Sequence, residues 1–283
     1  MMKALFPALA AAALSICAAC STSPSASSEF NNAGISSAAQ IESYLIELDT
    51  TLAGTVGMDS LVDTVSLHVH ALIDWPVKMG DHAIAALQSR IIEAIGTDGA
   101  PTVNAALTAL VDTAATFIDV KPGIDLSGVF VQPYNQYSMD VTLNRYELTS
   151  KYVTYTATTS QYMGGAHPGF AGDPFTFALD SAVIVTPQNA FTAEGLEAVV
   201  KEINNAAADQ YHGTEGQLTK VGFFENTLPM AASMCIYNNA IIFHYNPYDV
   251  GPWAMGSVDI TVYPGIIADS LTPLGRSLFT WED

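Results

Sequence analysis

The chain is poor in basic residues. Nine lysines and arginines stand against 28 aspartates and glutamates in 283 residues, a formal net charge of −19. A surface of that sign repels phosphate backbones and anionic lipid headgroups, so nucleic acid is excluded as a partner and peripheral docking on acidic membranes is disfavoured. Cysteine is scarce as well, with Cys17, Cys20 and Cys235 the whole complement. Three thiols cannot build a disulfide framework, and the fold must rely on its apolar core. No stretch is apolar for the length a membrane-spanning helix requires. Nor does the chain carry a Gly-x-Ser-x-Gly elbow, a His-Glu-x-x-His helix motif, a P-loop or a dinucleotide fingerprint. No metal or cofactor is therefore expected, and no complete catalytic set is legible.

What is present begins with an address. Lys3 is followed by the alanine-rich apolar run Ala4–Ala13 and then Leu14 and Ile16, closing on Ile16-Cys17-Ala18-Ala19-Cys20. The charge, the short apolar core and the small residues before a cysteine have the layout of a cleaved secretory signal. The closing residues resemble the bacterial lipobox, which predicts lipid attachment at Cys20. Acyl chains there bury many CH₂ groups at about 0.8 kcal/mol each, enough to anchor a chain without a spanning helix. The expected location is the cell envelope, lipid-anchored and extracytoplasmic. Residues 21–36 begin with the uncharged Ser/Thr/Ala/Pro run Ser21–Ser28, a composition that behaves as a flexible tether.

Beyond the tether the periodicities alternate between two and three to four residues. Tyr44, Ile46 and Leu48 alternate with Glu47 and Asp49, predicting a strand; Val65, Leu67, Val69 and Ala71 predict another, ending at Trp75-Pro76 because proline cannot donate to a ladder. Asp81 is the expected cap of a helix carrying Ile84, Leu87, Ile91, Ile92 and Ile95, and a second helix is expected over Pro101–Ile118. Strands follow at Met139–Leu148, Tyr152–Tyr162 and Phe175–Val185. A helix capped by Thr192 comes next, then strands at Ser233–Tyr237, Ala240–Tyr245 and Ser257–Tyr263 and a short helix within Ile266–Leu274. Asn238-Asn239 is a two-residue hairpin turn. The class predicted is α+β, with antiparallel sheets and helices packed on one face, in two small α+β units, 37–130 and 131–283.

Few residues carry chemistry. His68 and His70 share one face of a strand, a spacing that can chelate zinc, with His82, His167, His212, His244 or a carboxylate as a third ligand. No spacing selects among these, and solvated histidines on a polar strand face is the plainer expectation. Cys235 lies in an apolar strand, where such residues act as small hydrophobes. The acidic pair Glu282-Asp283 sits at the terminus, an unsuitable place for precise chemistry.

Two stretches are more distinctive. Ser160-Gln161-Tyr162-Met163-Gly164-Gly165-Ala166-His167-Pro168 resembles the tyrosine–glycine–glycine–alanine–histidine signature of a bacterial cell-envelope domain of unassigned function. That domain forms the extracytoplasmic part of the anti-sigma-V factor and precedes the catalytic domain of some peptidoglycan deacetylases. Ile242–Gly256, with Asn246-Pro247-Tyr248-Asp249 and Trp253, resembles its second signature. Met163 and Trp253 depart from the residues usual there, threonine and tyrosine. The resemblance covers about 139–278. It implies an acidic module able to capture a cationic lysozyme-like protein, since in the anti-sigma-V factor this domain binds lysozyme.

On the residues alone, Gly164-Gly165 permits positive φ and could present amides to an anion or sugar, while His167 could donate a hydrogen bond or act as an acid–base group. Tyr248 and Trp253 could form an aromatic platform, or could pack a corner of the domain. The expected ligand-binding residues are Tyr162, Gly164, Gly165, His167, Tyr248 and Trp253. The expected activity is non-enzymatic binding of a lysozyme-like protein or a peptidoglycan fragment. The alternative is a wall-directed hydrolase using His167 with a carboxylate or a metal.

Overall fold

The computed structural model describes residues 41–58, 61–96, 99–121 and 135–281, all within one compact unit, Ile35–Asp283. The expected leader, Cys20, residues 21–36 and the Glu282-Asp283 pair lie outside the described residues.

Seven strands form one sheet in the order β3-β1-β2-β4-β5-β6-β7. The first two, β1 (Ile41–Met58) and β2 (Leu61–Met79), pair antiparallel along their whole length. Val65, Leu67, Val69, Ala71 and Ile73 of β2 are fully buried on one face. Onto that face pack α1 (Ala85–Ala94) and α2 (Val103–Ala115), through Leu87, Ile91 and Ile92 and through Ala106, Leu110 and Ala114. The short β3 (Asp119–Val120) pairs with β1 at Gly54 and Thr55. The partner of β2 on its other side is β4 (Gln136–Leu148), and that pair is parallel. Parallel neighbours need a long crossover, and the α1–α2 segment lies between the two strands in the chain. All other pairs are antiparallel: β4 with β5 (Tyr152–Tyr162), β5 with β6 (Gly169–Ala178), and β6 with β7 (Val183–Val185).

A second, three-stranded antiparallel sheet has the order β10-β9-β8, from β8 (Ser233–Tyr237), β9 (Ala240–Tyr245) and β10 (Val258–Val262). Asn238 and Asn239, both at positive φ, make the two-residue β8–β9 turn. Between the sheets in sequence lie α3 (Pro187–Ala190) and α4 (Leu196–Gln210), and α5 (Pro273–Ser277) follows β10. Val199, Ile203 and Ala207 of α4 join Phe243, Ile241 and Ile260 in a second core.

The class is α+β, as the periodicities predict. Strands β5 and β6 serve both cores: Val153, Tyr155, Phe175 and Phe177 enter the first, Tyr152 and Ala178 the second. That double duty explains the unbroken burial of Tyr152–Tyr155. A closed set of hydrogen bonds ties the layers there. Thr154 Oγ1 donates to Ile236 O at 2.6 Å, the Ile236 amide donates to Thr176 Oγ1 at 2.8 Å, and the two hydroxyls meet at 2.7 Å. Each buried polar group has its partner, so the link carries no desolvation penalty left open.

Several local expectations change. Pro76 does not end β2, because the ladder absorbs it with an irregularity opposite Glu42/Ser43 and continues to Met79. The N-cap of α1 is Ile84, without side-chain capping, whereas Thr102 caps α2 by accepting from the Ala105 amide. Phe175–Val185 is a hairpin of two strands, turning through Ala182 at φ 54°. Thr192 accepts from the Gly195 amide one turn before α4 begins. The stretch Ile266–Leu274 holds a 3₁₀ turn, Ala268–Ser270, and the start of α5. The expected boundary near residue 131 lies outside the described residues; strands on either side of it share one sheet.

Candidate functional site

The far ends of β5 and β6 run beyond the packed layers, and 165–171 are exposed. The turn joining them carries the first signature. Gly164 and Gly165 adopt φ of 86° and 100°, values closed to ordinary side chains, so the tight return demands this pair. Tyr162 closes the turn by donating from its hydroxyl to Gly165 O at 3.1 Å. Beyond it, His167 Nδ1 lies 3.0 Å from Pro168 O.

The second signature meets it there. The His167 ring stacks on the Trp253 indole with centroids 4.2 Å apart and planes 12° off parallel. The Tyr248 ring is also near Trp253, its centroid 6.2 Å away and its plane tilted by 33°. Tyr248 is the third residue of the Asn246–Asp249 turn, which is closed by Asp249 N–H to Asn246 O at 3.0 Å and Asn246 N–H to Asp249 Oδ2 at 2.7 Å. Its φ of 73° places a bulky residue in the left-handed region, and Tyr248 is 57% exposed. Such outliers persist only where neighbours enforce them, and they concentrate at functional surfaces.

Two shallow grooves flank this patch. One, of about 560 Å³, is lined by Ser160, Pro168, Phe170, Pro247, Trp253 and Met255. The other, of about 410 Å³, is lined by Gln161, Met163, Gly164, His167, Gly169 and Phe170. The half-exposed Phe170 borders both. The six residues expected from the sequence thus lie in one region, Gly165, His167 and Tyr248 exposed and Tyr162, Gly164 and Trp253 half-buried. The arrangement offers planar faces and backbone polar groups; the His167 ring is engaged by an indole and a carbonyl.

Beneath the patch lies a supporting set that sequence reasoning missed. The Asn246 side chain pairs with the Gly172 backbone, accepting from its amide at 2.6 Å and donating to its carbonyl at 3.1 Å. His244, 8% exposed, binds Asp259 Oδ1 through Nδ1 at 2.6 Å and faces Asn246 Oδ1 through Nε2 at 3.3 Å. Burial works to lower the His244 pKa. The hydrogen bond and charge of Asp259, with help from Asn246 and Asp173, outweigh it and carry the value above the ordinary histidine range. The pattern His-x-Asn with an aspartate one strand away was the only available signal, and it does not reveal pairing.

The other chemical candidates are placed as follows. His68 and His70 lie on the same strand face, rings 6.2 Å apart, with His68 3.0 Å from Asp49 Oδ1 and His70 3.8 Å from Glu47 and 3.9 Å from Asp140. His82 is 4.0 Å from Asp180. Among the described residues, no group of three His, Cys, Asp or Glu is arranged to hold a metal ion. Cys235 is buried, and that burial, with the charges of Asp259 and Glu147, pushes its pKa up to about 12, so the thiol is held protonated and unreactive.

Residues 184–263 match a family described as protein of unknown function (DUF3298). No curated protein matches the chain. Two solved structures share its fold. A DUF3298-family protein of Bacteroides fragilis is 17% identical, aligns over 84% of this chain and 98% of its own, and gives a TM-score of 0.62. A DUF3298-family protein of Pseudomonas aeruginosa is 12% identical, aligns over 86% and 98%, and gives 0.57. At these identities the likeness concerns the fold.

Proposed function

We propose that this protein is a non-enzymatic binding module of the bacterial cell envelope, tethered by lipid on Cys20, that recognises a lysozyme-like protein or cell-wall glycan through its aromatic patch. The observation that carries the reading is the His167–Trp253 stack, which joins two segments 86 residues apart into one exposed platform beside Tyr248. Stacked rings at the surface give a rigid apolar face at low entropic cost, suited to a sugar ring or to a protein side chain seated in the Phe170–Trp253 groove. A charge of −19 favours a cationic partner and hastens encounter with it. Hydrolysis through His167 would need a carboxylate or metal at its ring; among the described residues the ring stacks on Trp253 and its Nδ1 lies against the Pro168 carbonyl.

The test is retention of a basic lysozyme, and separately of soluble peptidoglycan fragments, on immobilised protein at low salt. Retention of either ligand, lost in Trp253→Ala while the fold is kept, supports the reading. Failure to retain both, or turnover of wall fragments that disappears in His167→Ala, overturns it.

A further inference from the structure

On β1, β2 and β4 the face of the seven-stranded sheet turned away from α1 and α2 is polar and exposed, whereas on β5 and β6 the same face passes under the second core at Tyr152, Thr154 and Gly172. Residues in register across a sheet point to the same side. One such row runs Asp49–His70–Asp140–Ser160–Phe170 across β1, β2, β4, β5 and β6. Flanking it are Thr51–His68–Ser138–Tyr162 and Glu47–Leu72–Thr142–Thr158–Gly172. Every side chain of these rows on β1, β2 and β4 remains at least partly exposed, in contrast to the buried Leu67, Val69 and Ala71 of the opposite face.

The rows contain three carboxylates and no lysine or arginine, and all three carboxylates sit at the β1–β4 end. The other end carries no charge: Ser160 and the half-exposed Phe170 line the groove that Trp253 also borders. Four steps between strands make the gradient from Asp49 to Phe170 about 19 Å long. We infer that this sheet face is a docking surface for a cationic protein, seated with an apolar side chain in the Phe170–Trp253 groove and basic side chains over Glu47, Asp49 and Asp140. This rests on the reading of the aromatic patch as a binding site and supplies its electrostatic half. Charge complementarity selects the occupant. A second copy of this chain would set carboxylates against carboxylates, and a neutral glycan would leave the acidic end without partners.

The test uses the purified full chain and a basic lysozyme as probe, with Kd measured at low and high salt. The triple variant Glu47→Gln/Asp49→Asn/Asp140→Asn should weaken binding about tenfold and flatten the salt dependence. A control triple on the helices, Glu93→Gln/Asp112→Asn/Glu197→Gln, removes the same charge from exposed positions elsewhere and should cost less than about threefold, the remainder being long-range attraction. In a second variant His68→Lys/His70→Lys keeps every carboxylate and places cations among them; it should weaken binding as much as the triple. Equal losses in the two triples, or unaltered binding in both strip variants, overturn the inference. Trp253→Ala separates it from the reading beneath: loss there without loss in the strip variants sinks the docking face alone, and no effect of Trp253→Ala sinks the aromatic site.

Discussion

Asn246 is clamped to Gly172 by two hydrogen bonds, Gly172 N–H to Oδ1 at 2.6 Å and Nδ2–H to Gly172 O at 3.1 Å. A side-chain amide here continues the ladder that a further strand residue would otherwise supply. It fixes the turn bearing Tyr248 against the strand bearing Phe170, so the two signatures are held by a contact that lies outside both aromatic rings. Gly172 must also be small, because a Cβ there would sit 2.8 Å from His244 Nε2. Gly172→Ala is expected to destabilise by about 1–3 kcal/mol through overpacking. Asn246→Ala should cost about the same by leaving the Gly172 amide and carbonyl without their partner. Urea unfolding measures both; a loss well under about 0.5 kcal/mol in each would show that the clamp is incidental.

The His244–Asp259 pair behind that clamp makes stability depend on pH in a definite sense. The folded-state pKa of His244 is raised, so the protonated ring is favoured by folding. Its contribution is fully present below the unfolded histidine value of about 6.5 and is lost as pH rises through the higher folded value. His244→Gln should therefore cost more stability at acid pH than at alkaline pH, within the range where the protein stays folded. Paired melts of wild type and variant across that range decide it, and a cost that does not vary with pH, or grows upward, refutes the assignment.

Periodicity revealed β5, β8 and β9 to the residue, because their alternating or apolar runs end at Gly, Pro or Asn-Asn punctuation. It also exposed the buried stripe Leu87–Ile91–Ile92 of α1. It could not reveal that β4 lies parallel to β2, since a strand's side-chain pattern is the same whichever way its neighbour runs. Pro76 misled for a related reason: proline forbids one donor, and a single ladder irregularity accommodates that without ending the strand. In the candidate site, glycines and aromatics were visible as local signals. The Asn246–Gly172 and His244–Asp259 contacts were not, because each joins residues whose proximity depends on sheet register.

The proposed export and lipidation make a prediction independent of the binding face. With Cys20 as the acceptor, labelled palmitate should enter the protein, and Cys20→Ala should abolish incorporation and shift the protein from the membrane to the soluble fraction. Cys235 is buried and held protonated, so Cys235→Ala should leave labelling unchanged. Label retained in Cys20→Ala would place the lipid elsewhere or remove the lipobox reading altogether.

Tyr248 separates stability from binding. Its left-handed backbone costs an ordinary residue about 1–2 kcal/mol, whereas asparagine tolerates that region far better. Tyr248 is 57% exposed and its ring centroid lies 6.2 Å from that of Trp253, so little apolar burial is lost on removing the ring. Tyr248→Asn should accordingly leave stability unchanged or raise it by up to about 1 kcal/mol, while weakening retention of the ligand. A strained residue that improves the fold when replaced is held in place by something other than folding, and binding is the use its exposure permits. If Tyr248→Asn instead destabilises by more than about 1 kcal/mol and binding follows only through unfolding, Tyr248 is a packing residue of the turn and leaves the recognition surface to His167 and Trp253.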